Sequence, residues 1–428
     1  MDILLVNAPV KRKSRHTKLT PPLGLLYIAT VLRTAGYSVR IIDLNLEGVD
    51  LAQVRLLCEI GRPGIVGISA LTETYPAALN VAGIAKQINP RVQVVMGGSH
   101  PSVLPKDVAS NALVDYVVIG EGESTFLELA GYILQNSGRL DGIAGIAYRQ
   151  SDQVVISPER GFIEDPDSLP FPERRLLPIS EYEGKATILA SRGGCPYGCR
   201  YCAVNNIWKG KRRYRQPGRV VEEMRSMIRD SISSEIIFVD DIFTLNKPYV
   251  RDLCHAMKSH GRLNCEWICT TRADLVDAEL LREMQGAGCA GITFGVEAGS
   301  QKILDVIDKH LTLAQVKSAV TSAQAAGMQV TCAFMFPHPE DTEETVREQM
   351  RFMKELTEQG VQVSLSFTTP LPGTDYYERA DELGIKILEQ NWDDFDMSHV
   401  QITNRHLSLE KLTELEKELY QYVELVRY

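Results

Sequence analysis

Three cysteines, Cys195, Cys199 and Cys202, stand on one short stretch, Ser191-Arg-Gly-Gly-Cys195-Pro-Tyr-Gly-Cys199-Arg-Tyr-Cys202. At this spacing three thiols reach one inorganic site, because each needs only a turn of chain to arrive there. A cubane iron–sulfur cluster takes four ligands. Three thiolates leave one iron open to a substrate or cofactor, and the next cysteine, Cys254, is far along the chain. The competing reading is a zinc knuckle, which asks for a second cysteine pair or for histidines. Inert core cysteines fit poorly in a stretch so rich in glycine, proline and arginine.

With Tyr201 ahead of the third cysteine, these positions resemble the cluster loop of the radical S-adenosylmethionine (radical SAM) enzymes. The resemblance implies a [4Fe-4S] cluster whose open iron is chelated by the amino and carboxylate groups of S-adenosylmethionine. Strand-like runs at 187–191, 235–239, 265–271, 291–296, 329–334 and 362–367 alternate with helical stretches, which predicts a partial (β/α)6 barrel over 187–386. The cluster loop then follows the first strand, on the face where parallel barrels place their chemistry. Other strand ends carry Asp240 and Asp241, Thr270 and Arg272, and Glu297 and Ser300. By the resemblance, Arg272 meets the S-adenosylmethionine carboxylate, Glu297 its ribose or amino side, and Tyr201 the adenine. The plainer roles are helix capping for Asp240 or Asp241 and an ion pair with Asp274 for Arg272.

The stretches Gly295-Val-Glu-Ala-Gly-Ser300 and Thr369-Pro-Leu-Pro-Gly-Thr-Asp375 are also similar to that family. Phe336-Pro-His-Pro-Glu-Asp-Thr342 departs from its usual Gly-x-Pro-Gly-Glu-Thr loop and sets His338 near the site. His338 is a candidate proton acceptor or substrate contact, against the plainer reading of a loop histidine in solvent.

Residues 1–140 read as a doubly wound parallel sheet: strands at 3–7, 39–43, 65–69, 92–96 and 116–119, with helices near 24–34, 51–60, 75–88 and 124–135. Ligands of such sheets bind beyond the carboxyl ends of the strands. The loops there resemble those of the cobalamin-binding domain that precedes the barrel in one large branch of the radical SAM enzymes. The positions carried over are Ser69, Thr72 and Thr74, then Gly97 and Gly98, then Gly120, Glu121 and Gly122. No Asp-x-His-x-x-Gly stretch offers a histidine to cobalt, and His100 reads as a loop hydrogen-bonder. A relic sheet that binds nothing, or one holding flavin or nucleotide, are the alternatives.

Residues 141–186 read as a hairpin and a proline-rich linker, and 387–428 as a helical extension whose helix Ser408 caps. Trp392 there is a candidate substrate contact or an aromatic lid. The basic run Trp208-Lys-Gly-Lys-Arg-Arg-Tyr-Arg215 is either a solvated face or a cationic rim, with Arg213 or Arg215 facing cofactor.

The chain has 428 residues, a net charge of −9 and nine cysteines. That charge argues against a nucleic-acid surface. No apolar run approaches the roughly 18 residues of a membrane span, and the start lacks the marks of a signal peptide. The expectation is a cytoplasmic protein with free thiols, a small-molecule substrate and an external electron donor of the flavodoxin or ferredoxin kind. The resemblance implies that the reduced cluster cleaves S-adenosylmethionine to a 5′-deoxyadenosyl radical, which takes hydrogen from an unactivated carbon. That carbon then collects a methyl group from methylcobalamin. Cyclisation, rearrangement or oxidation with the same cofactors, and a non-catalytic redox sensor, are the other readings.

Overall fold

The structure, a computed structural model, describes residues 1–11, 19–183, 186–230, 232–233, 235–259 and 263–424. The chain divides into two compact units: one runs to Glu183 and takes back Asn391–Phe395, and the other holds the rest of the described chain.

In the first unit, β1 (Ile3–Asn7), β2 (Val39–Asp43), β3 (Ile65–Ser69), β4 (Gln93–Gly97) and β5 (Tyr116–Val118) pair in parallel in the order β2-β1-β3-β4-β5. Alternate residues pack on opposite faces. Leu4, Val6, Val66, Ile68, Val94 and Met96 meet the helices Leu51–Gly61 and Tyr75–Ile88. Ile3, Leu5, Ile65 and Val95 meet the helices Leu23–Thr34 and Gly122–Gln135. Both faces are covered, which is why the strands read as unbroken apolar runs. The register sets Asn7 opposite Asp43 and Ser69, and Ser69 opposite Gly97, so the carboxyl ends form one row. The hairpin expected at 142–156 is β6 (Ile146–Gln150) and β7 (Gln153–Ile156), and it extends this same sheet antiparallel to β5. The stretch 141–183 therefore folds as part of the first unit instead of forming a free join: Tyr182 is 1% exposed and donates to Asp43 at 2.8 Å.

In the second unit six parallel strands stand in the order β8 (Ala186–Ile188), β11 (Glu235–Phe238), β12 (Glu266–Thr271), β13 (Cys289–Glu297), β14 (Gln329–Phe336) and β15 (Gln362–Phe367). β8 and β15 do not pair, so the barrel is open. One residue parity is buried: Trp267, Cys269, Phe294, Val296, Cys332 and Phe334 join a core with Val220, Leu253, Leu280, Val320 and Met353 of the surrounding helices. The opposite parity, including Ile268, Thr270, Thr293, Gly295, Thr331 and Ser364, is half-buried or exposed and faces the hollow side of the sheet. The helix Leu409–Glu424 adds Leu412, Leu415, Leu419 and Val423 to the core, and Ser408 Oγ caps it, accepting from Lys411 N at 3.2 Å.

The first barrel strand ends earlier than its apolar pattern predicts. Ser191–Gly193 is instead a short strand, β9, paired antiparallel with β10 (Arg212–Tyr214). Gly193, at φ +127°, permits this turn; a Cβ there would run into the Lys211 carbonyl. The cysteine loop is thus pinched shut at its base.

Candidate functional site

The loop between β9 and β10 carries Cys195, Cys199 and Cys202 as free, half-buried thiols. Asp240, at the end of β11, ties its base: the buried carboxylate accepts from Ala190 N at 2.9 Å, from Ser191 N at 2.8 Å and from the Ser191 hydroxyl. These bonds engage Asp240 in holding the loop, so its contribution is to position the cysteines.

The far side of the loop is received by a tight turn at 307–310. Arg200 donates its backbone N–H to the Ile307 carbonyl at 3.3 Å and its Nε to Asp308 at 2.7 Å. Asp308 and His310 both adopt positive φ, an uncommon conformation away from glycine. Between them Lys309, 5% exposed, donates to Glu297 at 2.9 Å and to the Tyr201 hydroxyl at 3.3 Å. Arg272 donates to the Lys309 carbonyl at 2.7 Å, pairs with Asp274 at 3.0 Å, and lies 3.8 Å above the ring of Tyr197. Glu297 sits at φ +73°, where the β13–β14 register slips. Two cations and a carboxylate therefore surround the tyrosines that interleave the cysteines.

This setting suits a metal cluster. Burial pushes the Cys202 thiol up to about 11, and it raises Cys195 while Arg272 and Lys309 act the other way. Cys199 adds to the rise at both thiols, and Cys195 adds to it at Cys202. Thiolate ligands here need the positive charge of bound iron. Among the described residues no three cysteine, histidine or acidic side chains close on a point, as a single ion requires.

Of the other strand-end residues, Thr270 and Glu297 share the hollow face of the sheet. Asp241 is open to solvent yet crowded by protein: burial pushes its carboxyl up to about 6, Arg212 opposes the rise and Asp240 adds to it. Ser300 is 1% exposed and its hydroxyl has no partner among the described residues. His338 is fully buried, which corrects the solvent-loop reading. Its backbone N–H donates to Asp341 at 2.7 Å, its Nδ1 lies 3.0 Å from the Tyr376 hydroxyl, and its Nε2 lies 3.5 Å from the Glu297 carbonyl. Enclosed between the buried Pro337 and Pro339, it sits against the Glu297 turn. In the basic run, Arg215 forms a buried ion pair with Glu223 at 2.7 Å, and Arg213 lies 5.9 Å over Trp208. Neither is a solvated face.

Sequence reasoning missed Lys309, Tyr197 and Asp308. The tyrosine lay inside the motif, but the turn that recruits the other two carries no glycine to mark it.

In the first unit the row of strand ends is built of close backbone approaches. Ala70 N donates to the Gly97 carbonyl at 2.8 Å, and Gly98, at φ +110°, lies where a Cβ would strike the Ala70 carbonyl. Ser69 is half-buried at the end of β3. Thr74 Oγ1 accepts from Leu71 N at 2.8 Å and so shapes the loop. The Ser102 hydroxyl accepts from Gly120 N at 3.0 Å. Glu121 is 8% exposed and accepts from Ile163 N at 2.8 Å. Gly122 leaves room for Ile28, whose Cδ1 a Cβ would meet at 3.0 Å. These residues leave close-set backbone and the half-exposed Leu71 at the sheet's carboxyl edge.

His100 is 2% exposed, its Nδ1 3.3 Å from the Thr72 hydroxyl and its ring stacked 4.5 Å from Tyr75. Burial lowers its pKa to about 4, so it is neutral at ordinary pH. Trp392 packs edge-on to His100 at 5.2 Å and against the core of the first unit, so it is not a lid on the barrel core.

Comparison with known proteins agrees with this division. Residues 16–130 match the B12 binding domain family, and 191–353 match the Radical SAM superfamily. A methyltransferase of Pyrococcus horikoshii, itself described as uncharacterized, is 33% identical over 98% of this chain and 92% of its own length. The anaerobic magnesium-protoporphyrin IX monomethyl ester cyclase of Rubrivivax gelatinosus is 28% identical over 86% of this chain and 67% of its own. The fold is shared with the radical S-adenosylmethionine methyltransferase TsrM of Kitasatospora setae, solved with cobalamin and a [4Fe-4S] cluster bound. The TM-score is 0.77 at 18% identity, covering 99% of this chain and 89% of that one.

Proposed function

The chain belongs to the radical SAM enzymes that carry a B12-binding domain, and from that membership we propose that it methylates an unactivated carbon of a small-molecule substrate. Its cofactors are a [4Fe-4S] cluster, S-adenosylmethionine and cobalamin. When bound, these groups supply the electron, the carbon-centred radical and the methyl group.

The chain's own side chains supply position and charge. Cys195, Cys199 and Cys202 would hold the cluster, which when bound supplies the electron to S-adenosylmethionine. Arg272 and Lys309 offer cations to its carboxylate, Glu297 and Asp241 offer carboxylates to its ammonium and ribose, and Tyr201 and Thr270 flank it. The loops 69–74, 97–100 and 120–122 cradle cobalamin. Electrons come from an external carrier of the flavodoxin or ferredoxin kind, and the free thiols and oxygen-sensitive cluster suit the cytoplasm. Among the described residues no helix is long and apolar enough to cross a membrane.

One observation carries this reading: the three-thiol loop, held from both sides by the ends of other strands, stands in a chain whose 33%-identical relative is named a methyltransferase. The cyclase relative favours a second reading, radical cyclisation without methyl transfer. Anaerobic reconstitution with iron, sulfide, hydroxocobalamin, S-adenosylmethionine and a strong reductant tests both. Methylation yields 5′-deoxyadenosine and S-adenosylhomocysteine; 5′-deoxyadenosine without S-adenosylhomocysteine supports cyclisation. Neither product, or equal yields from a Cys199→Ala variant, overturns the proposal.

A further inference from the structure

Residues 391–395 follow the barrel in sequence but fold as part of the first unit. Trp392 packs into the core beneath the helix Tyr75–Ile88 and closes edge-on against His100 at 5.2 Å, while Phe395, 3% exposed, backs the indole at 5.1 Å. The two residues between them reach the loop after β1, where Lys11 Nζ lies 3.1 Å from Asp393 and 2.8 Å from Asp394. His100 in turn is joined to the loop after β3 through Thr72, and to Tyr75 by stacking. One five-residue segment thus touches the loops at the carboxyl ends of β1 and β4 directly and that of β3 through a single histidine. The loops after β3 and β4 are two of those that cradle the corrinoid in the proposed function, and the loop after β1 lies beside them, since β1 pairs with β3. The match to the B12 binding domain stops at residue 130 and leaves this segment out.

We propose that Trp392, Asp393 and Asp394 form a strap that completes the cobalamin site by fixing the loops after β1, β3 and β4 in their binding arrangement. Trp392 is the principal positioning residue: with Tyr75 it encloses the imidazole of His100, so the histidine serves as a wall of the loop. The exposed ion pairs at Lys11 set the direction of the strap, and burial of the indole supplies most of its hold. The ligand class is a corrinoid, and the inference rests on the cobalamin reading of the first unit.

The experiment uses the full chain with its cluster reconstituted anaerobically, and follows hydroxocobalamin binding by absorbance. Trp392→Ala is expected to raise Kd at least tenfold, with iron content and S-adenosylmethionine affinity unchanged. Trp392→Phe restores most of the affinity, since a ring suffices to cover His100. The Asp393→Asn/Asp394→Asn double variant, which keeps the indole, is expected to raise Kd about threefold, and it carries the test if Trp392→Ala fails to fold. Hydroxocobalamin binding at wild-type affinity in Trp392→Ala, or in the double variant where only that one folds, overturns the strap and leaves the cobalamin reading intact. Failure of the wild-type chain to take up hydroxocobalamin overturns both.

Discussion

At the scale of single residues, Asp241 and His100 make the sharpest predictions because burial moves both toward the physiological range or away from it. With its carboxyl raised to about 6, Asp241 is charged above that pH and neutral below it. A cation held by Asp241 is therefore released as pH falls through 6. The affinity for S-adenosylmethionine, measured by equilibrium dialysis, is expected to drop several-fold between pH 7 and 5.5, and Asp241→Asn to remove that dependence. For His100 the folded pKa of about 4 lies below the ordinary 6.5, so the unfolded chain binds the extra proton between those values. The first unit is expected to lose on the order of 3 kcal/mol as pH falls from 6.5 to 4. Urea unfolding of His100→Gln at several pH values checks this, with a flatter profile expected. The three cysteines were legible because their spacing is local. Lys309 was not, because its role depends on two left-handed residues, Asp308 and His310, that only the folded turn reveals.

At the scale of elements, the base of the cluster loop rests on a buried ion pair. Arg215 and Glu223, 4% and 1% exposed, join the residue after β10 to the helix Pro217–Arg229, and Arg215 also donates to the Leu189 carbonyl at 3.0 Å. Glu223→Gln removes the negative charge beside a buried guanidinium, and chemical denaturation is expected to show a loss of about 3–5 kcal/mol. Replacing both partners with methionine is expected to cost less than either single change. Most parallel strands were legible to within a residue or two, since strands covered on both faces read as apolar runs. The pair β9–β10 was not: Ser-Arg-Gly against Arg-Arg-Tyr has no alternation to recognise, and a glycine with a left-handed backbone decides it. His338 was placed near the right neighbours but on the wrong side of the surface, because the prolines that look like loop punctuation are buried packing residues here.

At the scale of the whole molecule, two units with separate cores predict separable responses to ligands. Calorimetry with hydroxocobalamin at a hundred times its Kd is expected to stabilise the first unit by about 2.7 kcal/mol and to leave the second unit's transition in place. The return of 391–395 to the first unit was invisible in the sequence, since no change of composition marks it and its contacts lie nearly 300 residues away at His100. The strict alternation along the barrel strands has a further consequence. Every second side chain, from Trp267 to Phe334, is committed to holding the sheet against its helices, while intervening residues such as Thr270, Thr293 and Ser364 lie outside that core. Substitutions at these three positions are expected to cost the fold little, whereas at Gly295 a Cβ would meet Glu297 Oε1 at 2.7 Å. Laboratory evolution of the hollow face has in those three a ready set of positions from which to begin.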